Sequence, residues 1–358
     1  MTRKKLLMLL GSICLALVLV VPLLVACAGP TPTPTPEPVA FHKVWTLYHN
    51  IMLGQPHLFP GPSMVKWARL IEERTGGAVR VEVRWPGELP YKGYESLPVV
   101  RDRLVDVIEV CPHPQAGYEP LMDFHSLPFM VDTYEEGKWV CYELLKPMQE
   151  KVLAKYNAKH LMLLAAGDSP QWYSKGPVTT MADMKGYKTR VYDKATTDMV
   201  AAWGATPILI PFVELYTALM TGVVDAVVTS TKTARDAKFY ETLDYVTVVR
   251  YLLISLNHTI IALNKDAWAE LPVHLQEIVL EVSAEIEAET WAIRPPDEVG
   301  IAALVAEGMT ALELEPGELD KLKGSVRFMW AEWAERLGPE GEALFRKLEE
   351  YTGRKYLP

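Results

Sequence analysis

Glu214-Leu215-Tyr216-Thr217-Ala218-Leu219-Met220-Thr221-Gly222-Val223-Val224-Asp225-Ala226 reads as a helix, a tight turn and a buried strand opening at Val-Asp. The same order of events occurs earlier, in Glu95-Ser96-Leu97-Pro98-Val99-Val100-Arg101-Asp102-Arg103-Leu104-Val105-Asp106-Val107. Glu and Asp stand 11 residues apart in both copies. Tandem solenoids need three or more adjacent copies, so two distant copies of a helix–strand unit imply two similar α/β domains. A chain of 358 residues is too long for one compact core and suits that division.

The stretch preceding the second copy is Asp183-Met184-Lys185-Gly186-Tyr187-Lys188-Thr189-Arg190-Val191. Gly186 supplies a turn, and Tyr187 to Val191 alternate as a short strand does. Tyr187, Thr189 and Val191 then share one face and Lys188 and Arg190 the other. Arg190 falls near the carboxyl end of the strand, where open α/β sheets gather ligands. Its planar, permanently charged fork matches a carboxylate. The competing reading is a surface Arg paired with a nearby acid.

Residues 183–191 resemble the "DLKGLKIRV" segment of the solute-binding proteins of TRAP transporters, the DctP family. Residues 214–226 resemble that family's "ELYxALQxGVVDG", Ser126-Leu127-Pro128-Phe129 its "GLPF", and Arg84-Trp85-Pro86-Gly87-Glu88-Leu89 its "FPAGQLG". The four occur in the family's order, within a match running from about residue 42 to 295. The resemblance implies an α/β, two-domain periplasmic-binding-protein-like fold with a hinge, a central cleft and a long bracing helix, for which Pro272–Ile293 fits. It implies that Arg190 clamps the ligand carboxylate, and that a small and a large integral membrane subunit receive the solute.

Around that Arg the chain departs from the family in two places. Thr229-Ser230-Thr231 stand where relatives often carry an amide or acid, so Thr229 and Ser230 are candidate contacts; a Ser/Thr cap of a helix over 231–240 is the alternative. Pro170 and Gln171 replace a second basic residue, which argues against a dicarboxylate. Gln171, Trp172, Tyr173, Tyr192 and Phe212 border the expected cleft, although aromatic residues are more often core. His49, Asn50 and His113 end first-domain strands and are further candidates. Residues 42–166 with about 256–293 form the expected domain I. Residues 167–255 with about 294–358 form domain II, with crossings at 165–175 and near Val246–Ser255 and Asn257-His258.

Residues 1–26 read as an export signal: Arg3-Lys4-Lys5, then an apolar run from Leu6 to Val21. Leu24-Val25-Ala26-Cys27 resembles a bacterial lipobox, with Cys27 the acylated residue and a permanent transmembrane anchor the alternative. Residues 27–41 join this anchor to the body through the Thr-Pro repeat 30–38, a stiff extended tether. The chain is then expected at the outer face of the cytoplasmic membrane or in the periplasm. Cys111 and Cys141 remain in the body, either paired or as buried thiols.

Net charge is −9, and −12 without the signal, which is a poor balance for nucleic acid. No metal-ligand spacing and no cofactor motif is present. Gly167-Asp168-Ser169 resembles the GDS block of one esterase class, but it lies at mid-chain and no Asp-x-x-His follows it. The expectation is therefore no enzyme, but an exported, lipid-anchored receptor for a small organic carboxylate. A lipoprotein presenting ligand to a sensor is the alternative.

Overall fold

The computed structural model describes residues 41–49, 59–165, 169–250, 252, 258–293 and 297–358. The export signal, Cys27, the Thr-Pro tether, Asn50 and parts of both expected crossings lie outside these residues.

Two mixed sheets carry the fold. The first contains β1 (Lys43–Tyr48), β2 (Val79–Arg84), β3 (Val107–Val110), β4 (Ala158–Ala165) and β10 (His258–Asn264), in the order β2-β1-β3-β10-β4. The second contains β5 (Pro170–Ser174), β6 (Lys188–Val191), β7 (Thr206–Leu209), β8 (Ala226–Ser230), β9 (Tyr245–Val248) and β11 (Thr310–Glu313). Its order is β7-β6-β8-β5-β9-β11.

The two orders share one plan. In the first, β1 lies parallel to β2 and β3, and β10 is antiparallel to β3 and β4. In the second, β6 lies parallel to β7 and β8, and β5 is antiparallel to β8 and β9. The antiparallel strand of the first sheet arrives late in the chain and that of the second arrives early. Residues 170–174, read from sequence as part of an extended crossing, are an interior strand of the second sheet.

Both copies of the repeat fold as their sequences dictate. The helix Ser96–Arg101 turns through Arg103 into β3, and the helix Phe212–Met220 turns through Gly222 into β8. Strands β5 and β8 are buried along their whole length, as expected for sheet interiors covered on both faces. Their alternate residues serve different cores: Trp172 and Val228 join the large cluster, and Tyr173 and Val227 join a second one around Phe239 and Leu304.

The long helix Val273–Ile293 buries Leu275, Val279, Val282, Ile286 and Trp291. Its hydrogen bonds include several to the first sheet and the helix Gly61–Arg74. Glu287 accepts from the Leu163 N–H at 2.8 Å, Trp291 donates to the Leu163 carbonyl at 2.9 Å, and Ser283 accepts from the Trp67 indole at 3.0 Å. The next helix, Asp297–Ala306, reaches the second sheet, where Asp297 accepts from the Ser169 N–H at 2.9 Å.

The helices Phe328–Leu337 and Pro339–Thr352 pack on the segment 120–130 and the helical run from Tyr134. Trp330 donates to the Pro128 carbonyl at 3.0 Å, Trp333 and Phe345 enclose Phe124, and Trp139 stacks on Tyr351 at 3.9 Å. That helical run widens to a π-helical stretch over Val140–Leu145, and Pro147 sits in the first turn of Lys146–Lys155, where its missing N–H leaves no gap. Cys111 and Cys141 are buried free thiols.

Candidate functional site

Arg190 lies on β6 opposite Ile208 of β7 and Val227 of β8, and its side chain is only 6% exposed. Its Nε donates to the Ile210 carbonyl at 3.1 Å. The guanidinium carbon is 5.0 Å from the centre of the Tyr192 ring and 5.7 Å from that of Phe212. Among the described residues no carboxylate lies within ion-pair distance of it. Burial lowers its pKa to about 10, with Tyr192 and Asp193 only partly opposing that shift. A buried guanidinium without a counter-ion is costly, and an anion supplied from outside removes that cost.

Asp193 is close by but committed elsewhere. Its carboxylate caps the helix Lys194–Ala202, accepting from the Thr196 N–H at 2.7 Å, and it accepts from the Ser126 hydroxyl at 3.1 Å. That second bond ties the end of β6 to a segment packed on the first sheet. Burial raises the Asp193 pKa, and the Thr196 and Ser126 bonds oppose that rise.

His113, from the turn after β3, comes within 4.9 Å of the Tyr192 ring. Its Nδ1 lies 3.1 Å from Cys111 Sγ. Two further imidazoles continue the row, His125 at 5.8 Å from His113 and His258 at 5.5 Å from His125. His125 donates from Nδ1 to the Met122 carbonyl at 2.7 Å, and Gln149 Nε2 lies 2.8 Å from His258 Nε2. Burial holds His113 and His125 at pKa values of about 3, so both are neutral near pH 7; Arg190 and His258 add to the lowering at His113. Burial also pushes the Cys111 thiol well up. Asp123, behind this wall, is raised to about 6, by burial first and then by Asp193.

Of the residues singled out from sequence, Arg190, Phe212 and His113 meet around Tyr192. Four others have structural employment. Ser230 accepts from the Thr233 N–H at 3.1 Å and caps the helix Thr231–Asp236, the alternative that its sequence allowed. Gln171 uses its whole amide inside the fold, accepting from Val249 N–H at 2.7 Å and donating to the Ser169 carbonyl at 3.0 Å. Trp172 is fully buried between Tyr187 and Trp203. His49 is buried with its Nδ1 on the Glu109 carboxylate and its ring edge-on to Trp85. Thr229 pairs with Gln171 in register and is 8% exposed. The sequence reading missed Cys111, His125 and His258 as neighbours of His113. No periodic or spacing signal joins them, because the turn after β3, the segment 120–126 and the start of β10 meet only in the tertiary fold.

Among the described residues no group of His, Cys, Asp and Glu is arranged to hold a metal ion, and no helix is long and apolar enough to cross a membrane.

Comparison with known proteins agrees with this architecture. The chain is 26% identical over 291 residues to a solute-binding protein of Sulfitobacter sp. NAS-14.1, covering 80% of this chain and 86% of the relative. It is 27% identical over 296 residues to the C4-dicarboxylate-binding periplasmic protein DctP of Rhodobacter capsulatus, covering 78% and 84%. The fold superposes on the pyroglutamic-acid-binding extracytoplasmic solute receptor DctP7 of Bordetella pertussis with a TM-score of 0.77, at 23% identity, over 86% of this chain and 99% of that one. The family model for bacterial extracellular solute-binding proteins, family 7 (DctP), matches residues 60–336, and the chain belongs to that family.

Proposed function

We propose that this chain is a TRAP-transporter receptor that captures a small organic carboxylate between its two sheets and hands it to a small and a large integral membrane subunit. The observation that carries the reading is Arg190, a buried guanidinium with aromatic neighbours and no carboxylate partner among the described residues. Related receptors bind pyroglutamate, orotate and succinate, all carboxylates. Arg190 takes the carboxylate, Phe212 and Tyr192 cover it, and Thr229 and His113 border the site.

Two lobes, 42–166 with about 256–293 and 167–255 with about 294–358, close on the ligand by a hinge at the two crossings. Ligand binding biases that closure; no chemistry is performed. An export signal ending at Ala26, a lipid on Cys27 and the Thr-Pro tether hold the body beside the membrane. In Cys27→Ser the protein should leave the membrane fraction or keep its signal, and unchanged retention would remove the anchor from this account.

Arg190→Ala tests the site. Removing one partner of a buried charge pair costs roughly 2–5 kcal/mol, and each 1.4 kcal/mol is about tenfold. Binding should therefore weaken by roughly 30-fold to several thousand-fold. Arg190→Lys should not restore it, because an ammonium lacks the planar two-bond fork. Calorimetric titration with a carboxylate panel, with circular dichroism as a check of folding, measures both; near-normal affinity in Arg190→Ala would overturn the reading.

A further inference from the structure

We infer that the ligand carries a single carboxylate, held by Arg190, and that its far end is neutral and hydrogen-bonds to His113, so that dicarboxylates are rejected. The inference rests on the reading that Arg190 is the carboxylate clamp, and it names the class of carboxylate.

The first observation is a count of charge. Among the described residues Arg190 is the only Lys or Arg with a buried side chain. The stretches 50–58, 166–168 and 251–257 contain no Lys or Arg either, and Arg294 lies outside the described residues. Among the described residues, one carboxylate consumes the one buried cation. A second carboxylate would be enclosed without a partner, the situation that costs most in a dry site.

The second observation is what faces Arg190. The guanidinium and the His113 ring lie 5.0 and 4.9 Å from the same Tyr192 ring centre, so their separation cannot exceed the sum of those distances. That separation is within the length of a small ligand. His113 retains some exposure while its ring edge lies on Cys111 Sγ, with Nδ1 at 3.1 Å and Nε2 at 3.7 Å. The groups around it are the imidazoles of His125 and His258, the Tyr192 ring and the Cys111 thiol. Among the described residues no Lys or Arg other than Arg190 meets the side chain of His113, His125, Tyr192 or Cys111.

Charge behind the wall works in the same direction. Glu109 lies two residues before Cys111 and is buried, Asp193 caps its helix beside Tyr192, and Asp123 sits under His125 with Arg336 at 3.4 Å. These acids oppose further negative charge near His113. A neutral imidazole offers one N–H and one lone pair, which suits an amide, a hydroxyl or a ring carbonyl. Burial keeps His113 in that neutral form.

The test is titration of the purified chain with acid–amide pairs matched in length: succinate against succinamate, and glutarate against glutaramate. Pyroglutamate and orotate serve as cyclic monocarboxylates. In wild type, monocarboxylates should bind at least about 100-fold more tightly than the matched dicarboxylates. His113→Lys installs a cation at the far end and should narrow or reverse the preference, whereas the neutral His113→Gln should keep it. Should His113→Lys fail to fold by circular dichroism, the wild-type pairs and His113→Gln decide. Dicarboxylates binding as tightly as their amides, with both lost in Arg190→Ala, overturn this inference and leave the clamp standing. Binding of every probe unchanged in Arg190→Ala removes the clamp itself. Failure of every monocarboxylate to bind also counts against the inference.

Discussion

The two sheets share a frame and differ in what they place on it. At the start of β3, the Asp106 N–H donates to the Thr46 carbonyl at 3.2 Å and its own carbonyl accepts from Asn264 at 2.8 Å. Before β8, the Asp225 N–H donates to the Lys188 carbonyl at 2.7 Å and its carbonyl accepts from Lys175 at 3.1 Å. The turns also coincide, with Arg103 at φ 52° and Gly222 at φ 71°. In this superposition Tyr48, opposite Ile108, takes the place of Arg190, opposite Val227. Tyr48 is buried and donates its hydroxyl to the Tyr91 carbonyl at 2.7 Å. One frame thus holds a satisfied phenol in the first sheet and, in the second, a buried cation with no carboxylate partner among the described residues. The repeat explains the fold, and the departure from it at one strand position is what sets the two sheets apart.

Histidine is just as unevenly shared. None falls between residues 161 and 257 or after 274, so no strand of the second sheet carries an imidazole. His113, His125 and His160 are each held near pKa 3 by burial, below the ordinary value near 6.5. The folded form therefore binds fewer protons than the unfolded chain between those values. Stability is lost as pH falls below about 6.5, by up to about 1.4 kcal/mol per histidine per unit.

Asp123 runs the other way. Its folded pKa is raised to about 6 from 3.8, so its contribution is lost as pH rises from about 4 to 6. His160 has neither ring nitrogen bonded among the described residues, so His160→Leu should flatten the acid loss, whereas Asp123→Asn should steepen it. Denaturation midpoints between pH 4 and 7 measure both. Hydrogen exchange at pH 5 should show the first sheet opening before the second; the reverse order would break the contrast.

A smaller effect separates the paired aspartates. The Asp106 carboxylate accepts from the Thr46 N–H at 3.0 Å and from Arg103 Nε at 3.2 Å. Asp225 has only Lys188 and Lys175 at 3.6 and 3.8 Å, with its side chain 29% exposed. Asp106→Ala should cost about 1–3 kcal/mol by stranding a backbone donor, and Asp225→Ala about 0–1 kcal/mol. Equal losses in urea titrations would mean that the two junctions are held alike. The turn offers a further contrast, and its Arg103→Gly arm is the smallest expected change. Gly222→Ala meets no atom closer than Lys175 Nζ at 3.8 Å, so its cost is the left-handed backbone alone, about 1–2 kcal/mol. Arg103 already bears that strain and offsets it with its bonds to Glu270 and Asp106, so Arg103→Gly should be near neutral.

Local pattern made much of this legible. Alternation and helical spacing located β6, the repeats and the long helix, because each element's period is written in its own residues. The placing of Arg190 at a sheet-interior strand end followed from the same short stretch. Other features were not legible there: Gln171 and Ser230 have the polar atoms of ligand contacts, and in the fold those atoms bond the backbone groups of Val249 and Thr233. No local pattern shows which donor a side chain will meet across a sheet.

By itself the sequence determined two α/β units, their repeat and a basic residue near the end of a strand. Only the tertiary structure decided that Arg190 would be buried without a carboxylate among the described residues. It alone set His113, His125 and His258 in one row, from segments as far apart as 113 and 258. Charge and period are local properties of a chain; desolvation and the pairing of distant groups exist only after the sheets have closed over them.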